Sequence, residues 1–230
     1  MREQVGERPI PASLSLDDVQ KDPVLSAFIA QADKVTEGLG YTEHGFRHAT
    51  LSGRISYNVL QRLGHDERTA TLGAIAGYLH DIGNLVSRNV HGQVGAALVN
   101  QVLSDRMNPD ELALVMGAVG NHEEPEGAQV GDIAAAVILA DKSDVHRSRV
   151  RKAAQVEFDI HDRVNYAAEQ SFLRVDAEAS SITLELTIDT EISHVMEYFE
   201  IFLDRMIMCR RAAEQLGCRF GLEVNQTRLA

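Results

Sequence analysis

Three His-Asp pairs occur in the sequence, and one of them has surroundings that suit buried chemistry. His80-Asp81 lies in the stretch YLHDIGN, at the end of a predicted helix whose preceding residues are almost all apolar. This context predicts that both side chains are buried. Burying an ionised carboxylate costs several kcal/mol unless a partner or a metal compensates it. His80-Asp81 is therefore the pair that we expect to need a cation.

The other two pairs are explained by helix starts. Asp66 precedes Glu67 at the beginning of a periodic segment, which is typical of a helix cap and leaves His65 as a solvated loop residue. His161-Asp162 begins a polar helical stretch and has the same interpretation. We expect neither pair to belong to a site.

Further potential ligands lie on the predicted core helices, which present His44, His48, His91, His122 and Asp141. His44 and His48 are four residues apart, so on one helix their side chains would be neighbours. Imidazoles and carboxylates together suit a divalent transition metal, and more than four ligands would suit two ions. Any one of these histidines alone would ordinarily be a core or surface residue. Their joint occurrence in one bundle favours a metal site.

The order of these residues resembles the HD superfamily of metal-dependent phosphohydrolases, and YLHDIGN is similar to its central motif. The resemblance covers roughly residues 44 to 145. It implies an all-helical bundle and the following ligands: His48, His80 and Asp141 for one metal, His91 and His122 for a second, and Asp81 as a bridge between both. The last two histidines resemble the subset with a two-metal centre, which includes the HD-GYP branch.

Departures from that branch limit what the resemblance implies. After His122 the sequence reads EEPEGAQVGD, which lacks the GYP signature, so cyclic di-GMP hydrolysis is not expected. Asn121 stands where the branch has a second histidine, and Asn84 stands where it has a lysine. The Glu-Asp pair typical of alarmone hydrolases is also absent, and no residue is assigned as the general acid. A two-metal centre is favoured over a one-metal centre.

Two ions about 3.5 to 4 Å apart across Asp81 could share a hydroxide that attacks a phosphoester, because its pKa falls from ~15.7 toward neutrality. Positive groups must then stabilise the phosphoryl oxygens. The concentrated basic stretch of the chain is DKSDVHRSRVRK, residues 141–152. If it is helical, Lys142 and Arg149 lie on one flank. We predict that both bind substrate phosphate and that Lys142 is catalytic, although a solvated helix face is an equal alternative for Lys142 and the preferred one for Arg147 and Arg151.

Three other residues are candidates for substrate chemistry. Arg47, beside His48, is predicted to contact substrate phosphate, with a surface salt bridge as the alternative. His44 is assigned to catalysis, either by supporting a ligand or by assisting the leaving group. Glu123 and Glu124 could assist proton transfer, although a glutamate pair in a loop is more often solvated.

Composition excludes several classes of protein. The 230 residues include 34 acidic and 22 basic ones, for a net charge of −12, which would repel nucleic acid and anionic membranes. Cys209 and Cys218 have no ligand-like spacing, which argues against a disulfide scaffold and favours a reducing compartment. No apolar leader or membrane-length run occurs. We expect a cytoplasmic protein that binds neither nucleic acid in general nor membranes.

The periodicity predicts a mainly α fold. Asp22-Pro23 starts the first of several amphipathic helices. Two-residue alternation over 181–187 and 219–224 predicts strands that flank a helix over 190–216. We predict three parts: an N-terminal arm (1–21), an HD-type metal-binding helical domain (22–150), and a C-terminal α+β subdomain (151–230) that could form a homodimer interface.

The leading hypothesis is a metal-dependent phosphohydrolase, a phosphomonoesterase or phosphodiesterase, acting on a nucleotide or another small phosphorylated molecule. Iron or manganese is favoured, and nickel, cobalt and zinc are possible. One alternative is a ligand-binding regulatory module that keeps the metals and has lost turnover. Another is a helical interaction domain with vestigial histidines.

Overall fold

The computed structural model describes residues 13–123, 127–151 and 159–229. The described helices are α1 (Leu16–Gln20), α2 (Pro23–Gly38), α3 (Phe46–Arg62), α4 (Glu67–Leu79), α5 (His91–Leu103), α6 (Pro109–Gly120), α7 (Asp132–Lys142), α8 (Ile160–Ala167) and α9 (Val195–Gln215). The strands are β1 (Ala168–Asp176), β2 (Ser181–Ile188), β3 (Arg219–Val224) and β4 (Thr227–Arg228). The prediction of a mainly helical chain with a small C-terminal α+β unit is confirmed.

The predicted helix starts follow from side-chain caps. The Asp22 carboxylate accepts hydrogen bonds from the backbone of Val24 and Leu25, with proline at the first helical position. Asp66 caps α4 by accepting from Thr69, which confirms its structural role. In the third His-Asp pair, Asp159 is the cap of α8 and His161-Asp162 lies in the first turn.

Helices α4 and α7 form the centre of the bundle because their sequences are apolar on nearly every face. All of α7 from Ile133 to Lys142 is buried. Helix α4 approaches α3 closely at Gly77, where a Cβ atom would stand 2.6 Å from Ser56 Oγ and 2.8 Å from Ser52 O. A larger residue there would push the two helices apart. This close contact holds the middle of α3 beside the last turn of α4.

The sheet has the strand order β1-β2-β3-β4. Strands β2 and β3 pair in parallel and α9 connects them, while β1 and β4 pair with their neighbours in antiparallel fashion. The two strands detected from the sequence, β2 and β3, thus pair with each other within one chain. Buried Tyr198, Phe202 and Met206 show that α9 contributes to the core, as its apolar spacing predicts.

Some local predictions were wrong. Residues 141–151, the described part of the basic stretch, do not form one helix: α7 ends at Lys142, and a 3-10 turn, Arg147–Arg149, follows. His44 precedes α3, so it does not share a helix with His48. Core packing also begins before Asp22, since Leu14 and Val19 are buried. Residues 1–12 of the predicted arm lie outside the described residues, and the division at 21 and 150 stays a prediction.

Among the described residues, no helix is both long and apolar enough to cross a membrane.

Candidate metal centre

The six residues predicted as metal ligands come from six different places in the bundle and meet at one point. All six residues are buried, with exposures of 9% or less for the whole residue. They are His48 in the first turn of α3, His80 at the end of α4, Asp81 just after it, His91 at the start of α5, His122 after α6, and Asp141 in the last turn of α7.

A first group of ligand atoms surrounds one point. His48 Nε2 lies 3.1 Å from His80 Nε2, 3.5 Å from Asp81 Oδ2 and 3.3 Å from Asp141 Oδ1. His80 Nε2 lies 3.3 Å from Asp81 Oδ2 and 3.6 Å from Asp141 Oδ1. Ligands at about 2.1 Å from one ion are separated by ~3.0 Å in an octahedron and ~3.4 Å in a tetrahedron. The observed separations fit a shared cation.

A second group uses the other oxygen of Asp81. His91 Nε2 lies 3.0 Å from His122 Nε2 and 3.4 Å from Asp81 Oδ1. Glu123 Oε2 is 3.2 Å from His91 Nε2 and 3.7 Å from His122 Nε2. Asp81 thus presents Oδ2 to the first group and Oδ1 to the second. Its two oxygens are arranged as a bridging carboxylate requires.

The four imidazoles are oriented by hydrogen bonds at Nδ1. The Nδ1 atoms of three of them lie 2.7 to 2.8 Å from backbone carbonyl oxygens: His80 to Gly77, His91 to Arg88 and His122 to Val119. A carbonyl oxygen only accepts, so each Nδ1 must donate. The fourth, His48, donates in the same way to Asp144 Oδ2 at 2.7 Å.

These hydrogen bonds turn the Nε2 atoms toward one another in pairs. In a neutral imidazole that donates through Nδ1, Nε2 carries only a lone pair. Two lone pairs at 3.0 to 3.1 Å repel unless a metal ion lies between them or one Nε2 carries a proton, which turns the contact into a hydrogen bond. A metal ion is the arrangement that relieves both pairs in the same way. The orientation of the rings therefore fits metal binding through Nε2, with Nδ1 fixed as is usual in metal sites.

Asn84 orients the Asp81 carboxylate, just as the Nδ1 hydrogen bonds orient the imidazole rings. The Asn84 amide donates to Asp81 Oδ1 at 2.9 Å and to the Asp81 carbonyl at 3.0 Å. Asp81 Oδ2 is buried and has no hydrogen-bond partner among the described residues. A buried anionic oxygen without a donor is costly. A metal ion in the first group would satisfy it.

The turn after His80-Asp81 is placed against α5 by Gly83. A Cβ atom at Gly83 would stand 1.9 Å from the His91 carbonyl oxygen and 2.5 Å from the Gly95 nitrogen. Only a residue without a side chain permits this approach. The G of YLHDIGN therefore sets the distance between Asp81 and His91.

The electrostatics of the site call for positive charge. Burial would raise the pKa of Asp81, but His80 and other imidazoles lower it well below its ordinary range. Burial would lower the pKa of His80, but the carboxylates of Asp81 and Asp141 raise it to about 10. A proton on His80 is thus one way to supply the charge. In the second group, burial and the neighbouring His80 lower the pKa of His122 to about 3, so a proton on His122 does not supply this charge.

Lys142 lies between the two groups. Its Nζ atom is 2.8 Å from Asp141 Oδ2 and 3.8 Å from Glu123 Oε2, and its side chain is almost fully buried. The structure thus brings the predicted phosphate-binding lysine to the ligands themselves. The carboxylates of Asp141 and Glu123 hold this ammonium between the two groups.

Arg47 and Arg149 both hold Asp144. Arg47 donates to the Asp144 carboxylate through Nη1 at 3.3 Å and Nη2 at 2.7 Å, and to Glu43 through Nε at 3.0 Å. Arg149 donates to the backbone carbonyls of Glu43 and Asp144. Burial would raise the pKa of Asp144, but Arg149 and His48 lower it strongly. The contacts of Arg47 favour a role in positioning His48, and its predicted contact with substrate stays a prediction.

A polar cavity of about 340 Å³ opens beside the second group. His44, Arg88 and Arg149 line it. The His44 ring is centred 5.6 Å from that of His48. Arg88 donates to Asn84 and to Glu123, at 3.2 Å in each case, and its Nη1 atom lies 3.4 Å from His91 Nε2. The ligands themselves are not among the described residues that line the cavity, but His44 and Arg88 line it and contact the ligand cluster.

Asp144, Arg88 and Asn84 had not been assigned functional roles from the sequence. Asp144 follows the end of α7 and meets His48 across 96 positions of the chain, so no local pattern marks it. Arg88 lies in a loop without periodicity. Glu123 had been weighed for proton transfer and instead stands among the potential ligands, while Glu124 lies outside the described residues.

No family model matches this chain. The chain is similar to the uncharacterized protein MJ1020 of Methanocaldococcus jannaschii, with 26% identity over 200 residues that cover 76% of each protein. That relative brings no activity with it. The case for a function therefore rests on the arrangement of the buried histidines and aspartates, which could hold metal ions.

Proposed function

We propose that this protein is a metal-dependent phosphohydrolase of the HD type, acting on a small phosphorylated molecule through two divalent ions. The observation that carries the proposal is the pairing of four buried Nε2 atoms around a carboxylate whose two oxygens point to different groups. The order of these residues along the chain resembles the HD superfamily and supports the same reading.

The donor set fits two ions of the same general kind. The first group offers His48, His80, Asp141 and one oxygen of Asp81. The second offers His91, His122 and the other oxygen of Asp81, with Glu123 Oε2 3.2 Å from His91 Nε2 as a further candidate. Nitrogen and carboxylate donors without thiolates suit manganese, iron, cobalt, nickel or zinc. Bound ions would supply Lewis acidity toward phosphoryl oxygens and lower the pKa of water.

The protein's own residues would bind and orient the phosphoryl group. Lys142, Arg88 and Arg149 bring three positive charges to the ligand cluster and the adjoining cavity. Positive groups that are already in place stabilise the charge that develops on phosphoryl oxygens. This cluster of cations in a chain of charge −12 supports an anionic substrate.

The polar cavity supports a small substrate with a single terminal phosphate. Its volume, about 340 Å³, lies near the lower end of the range for small-molecule sites, ~300 to 1,000 Å³. Two aspartates, Asp159 and Asp162, also line the cavity, in addition to Arg88 and Arg149. Carboxylates there suit hydroxyl or amino groups of the substrate better than a second phosphate. Tyr41 and Phe202 add apolar surface.

The test combines elemental analysis with turnover. Protein purified without added metal and protein loaded with Mn²⁺ or Fe²⁺ would be assayed for phosphate release from a panel of phosphomonoesters and for cleavage of phosphodiesters. We expect two ions per chain, and loss of both metal and activity in Asp81→Ala. The matched control is His65→Gln, which alters a His-Asp pair outside the site and should leave both unchanged.

Each result separates one hypothesis from the others. Two ions without turnover on any phosphoester would favour a metal-containing regulatory module. Absence of metal under every loading condition would leave only a helical interaction domain. Phosphoesterase activity retained in Asp81→Ala would contradict the proposed metal centre.

A further inference from the structure

A second, larger cavity of about 510 Å³ lies between α3 and β1, away from the polar cavity that adjoins the metal ligands. One wall is a face of α3 that carries Arg47, Leu51, Arg54, Asn58 and Arg62. Their spacing of three or four residues places them along one side of the helix. The other wall includes Leu173 and Val175 of β1.

The α3 wall carries positive charge that the protein does not neutralise. Arg54 and Arg62 are exposed, and in the part of the chain that the structure describes neither has an ion pair or a side-chain hydrogen bond. Asp144 is the acidic residue among the described lining residues, and Arg47, Arg149 and His48 already engage its carboxylate. In a chain of charge −12, two such arginines at one cavity favour an anionic ligand.

The remainder of the cavity is apolar. Leu51, Ile55, Leu173 and Val175 are only partly buried and face the space between α3 and β1. Partly exposed aliphatic side chains in a concave site gain stability when a ligand covers them. The cavity therefore offers two different kinds of contact side by side.

We propose that this second cavity binds a small amphiphilic organic anion, whose acidic head group pairs with Arg54 and Arg62 and whose apolar body packs against Ile55, Leu173 and Val175. The head group is a carboxylate or a phosphate, since a guanidinium binds either in a bidentate manner. This site does not share its ligand-binding arginines with the polar cavity.

Occupancy of the second cavity is coupled to the metal centre through Arg47 and Asp144. Both residues line the cavity, and Asp144 holds the His48 ring at Nδ1. A bound anion near Arg47 competes with Asp144 for its guanidinium and so alters the support of His48. This coupling rests on the proposed function, whereas binding of the anion does not.

The first test uses the dye 1-anilinonaphthalene-8-sulfonate, which combines an acidic group with an apolar body, and measures its fluorescence on titration with the full-length metal-loaded protein. We expect saturable binding that weakens by roughly tenfold or more in the Arg54→Ala/Arg62→Ala variant, because two charge-assisted contacts are lost. The control is Arg211→Ala on α9, an exposed arginine outside the cavity, which should bind the dye like the wild type. Equal binding in the double variant would overturn the proposal.

Displacement of the dye identifies the head group. Octanoate as the better competitor would assign a carboxylate, and phenylphosphonate as the better competitor would assign a phosphate. If inorganic phosphate displaced the dye as well as octanoate or phenylphosphonate does, the cavity would bind anions without an apolar body. That result would overturn the proposal. Dye binding that declines as protein concentration rises would mean that a second copy of the chain covers this face, which would also overturn the proposal.

The coupling has a separate readout. Saturating dye should change the rate of Mn²⁺ release to a chelator in the wild type and not in Arg47→Ala. An unchanged rate of Mn²⁺ release in the wild type would show that the second cavity and the metal centre are not coupled. Dye binding retained in Asp81→Ala would show that the second cavity is intact even if the metal centre fails.

Discussion

His48 Nδ1 lies 2.7 Å from Asp144 Oδ2, a contact that joins α3 to the segment after α7. The same carboxylate accepts two hydrogen bonds from Arg47. An imidazole that donates to a carboxylate is a better ligand at its other nitrogen, because its orientation is fixed and its basicity is raised. Asp144 thus orients the His48 ring, and under the proposed function it would act on a bound metal through His48.

Replacing Asp144 by asparagine should weaken metal binding without unfolding the protein. The amide still fits the space, but the charge-assisted hydrogen bond to His48 is lost. We expect metal affinity to fall by about 10- to 100-fold, as is usual when such supporting groups are removed. Competition with a chelating dye measures it. Asp17→Asn, in an exposed ion pair with Lys21, is the control, and equal affinity in Asp144→Asn would show that His48 needs no support.

The residues of the buried histidine and aspartate cluster could be picked out from the sequence because their signals are local or follow helix periodicity. YLHDIGN combines an apolar helix, a His-Asp pair and the glycine that permits close contact with α5. Asp144 could not, because it meets His48 across 96 positions of the chain, and Arg88 could not, because it lies in a loop without periodicity. Nothing in a nearby pattern indicates that Asp144 meets His48.

The fold shows the same division between elements with a local sequence signal and elements that depend on contacts elsewhere in the chain. The Asp22-Pro23 cap marks α2 directly, and alternation marks β2, whose odd and even residues differ in burial. Strand β1 was missed because it is an edge strand with mostly exposed or half-buried residues, so its sequence lacks a continuous apolar face. Its pairing with β2 supplies the order that its own residues do not specify.

Glu123→Gln should lower the number of bound metal ions from two to one. The Glu123 carboxylate lies within reach of His91 and His122 but belongs only to the second group. A neutral amide is a poorer ligand for a hard cation than a carboxylate. Elemental analysis after gel filtration gives the count. Glu37→Gln, on the exposed side of α2, should keep two ions, and a count of two in Glu123→Gln would exclude Glu123 as a ligand.

Gly83→Ala should destabilise the protein because its Cβ would collide with the backbone of α5. Overpacking of this kind costs ~1 to 3 kcal/mol and more where the backbone must move. We expect the melting temperature to fall by roughly 4 to 10 °C for a chain of this size. Gly117→Ala is the matched control, since its Cβ would make an ordinary contact at 3.7 Å with Val130. Equal melting temperatures would contradict the close contact.

Glu197 should contribute stability that is lost in acid. Hydrogen bonds from Arg163 and Ser193 lower its pKa from the ordinary 4.5 to about 2. A carboxyl group with a lowered pKa stabilises the folded state above its unfolded pKa, and the contribution disappears as the pH falls from 4.5 toward 2. Over that range the free energy of unfolding should fall less steeply in Glu197→Gln than in the wild type. Chemical denaturation at several pH values tests this, and Glu200→Gln on the same helix should follow the wild type.

His44 is predicted to act on the substrate and not on the metals. Its Nδ1 atom lies 2.6 Å from the Thr42 carbonyl oxygen and must donate to it, so Nε2 carries a lone pair that can accept a hydrogen bond. His44→Gln should keep two ions per chain and lower turnover by roughly a hundredfold, the low end for a positioned proton-transfer group. His161→Gln alters an exposed side chain of the same cavity and should change turnover little. Loss of metal in His44→Gln would instead assign His44 to support of the ligand His48, and unchanged turnover would exclude it from catalysis.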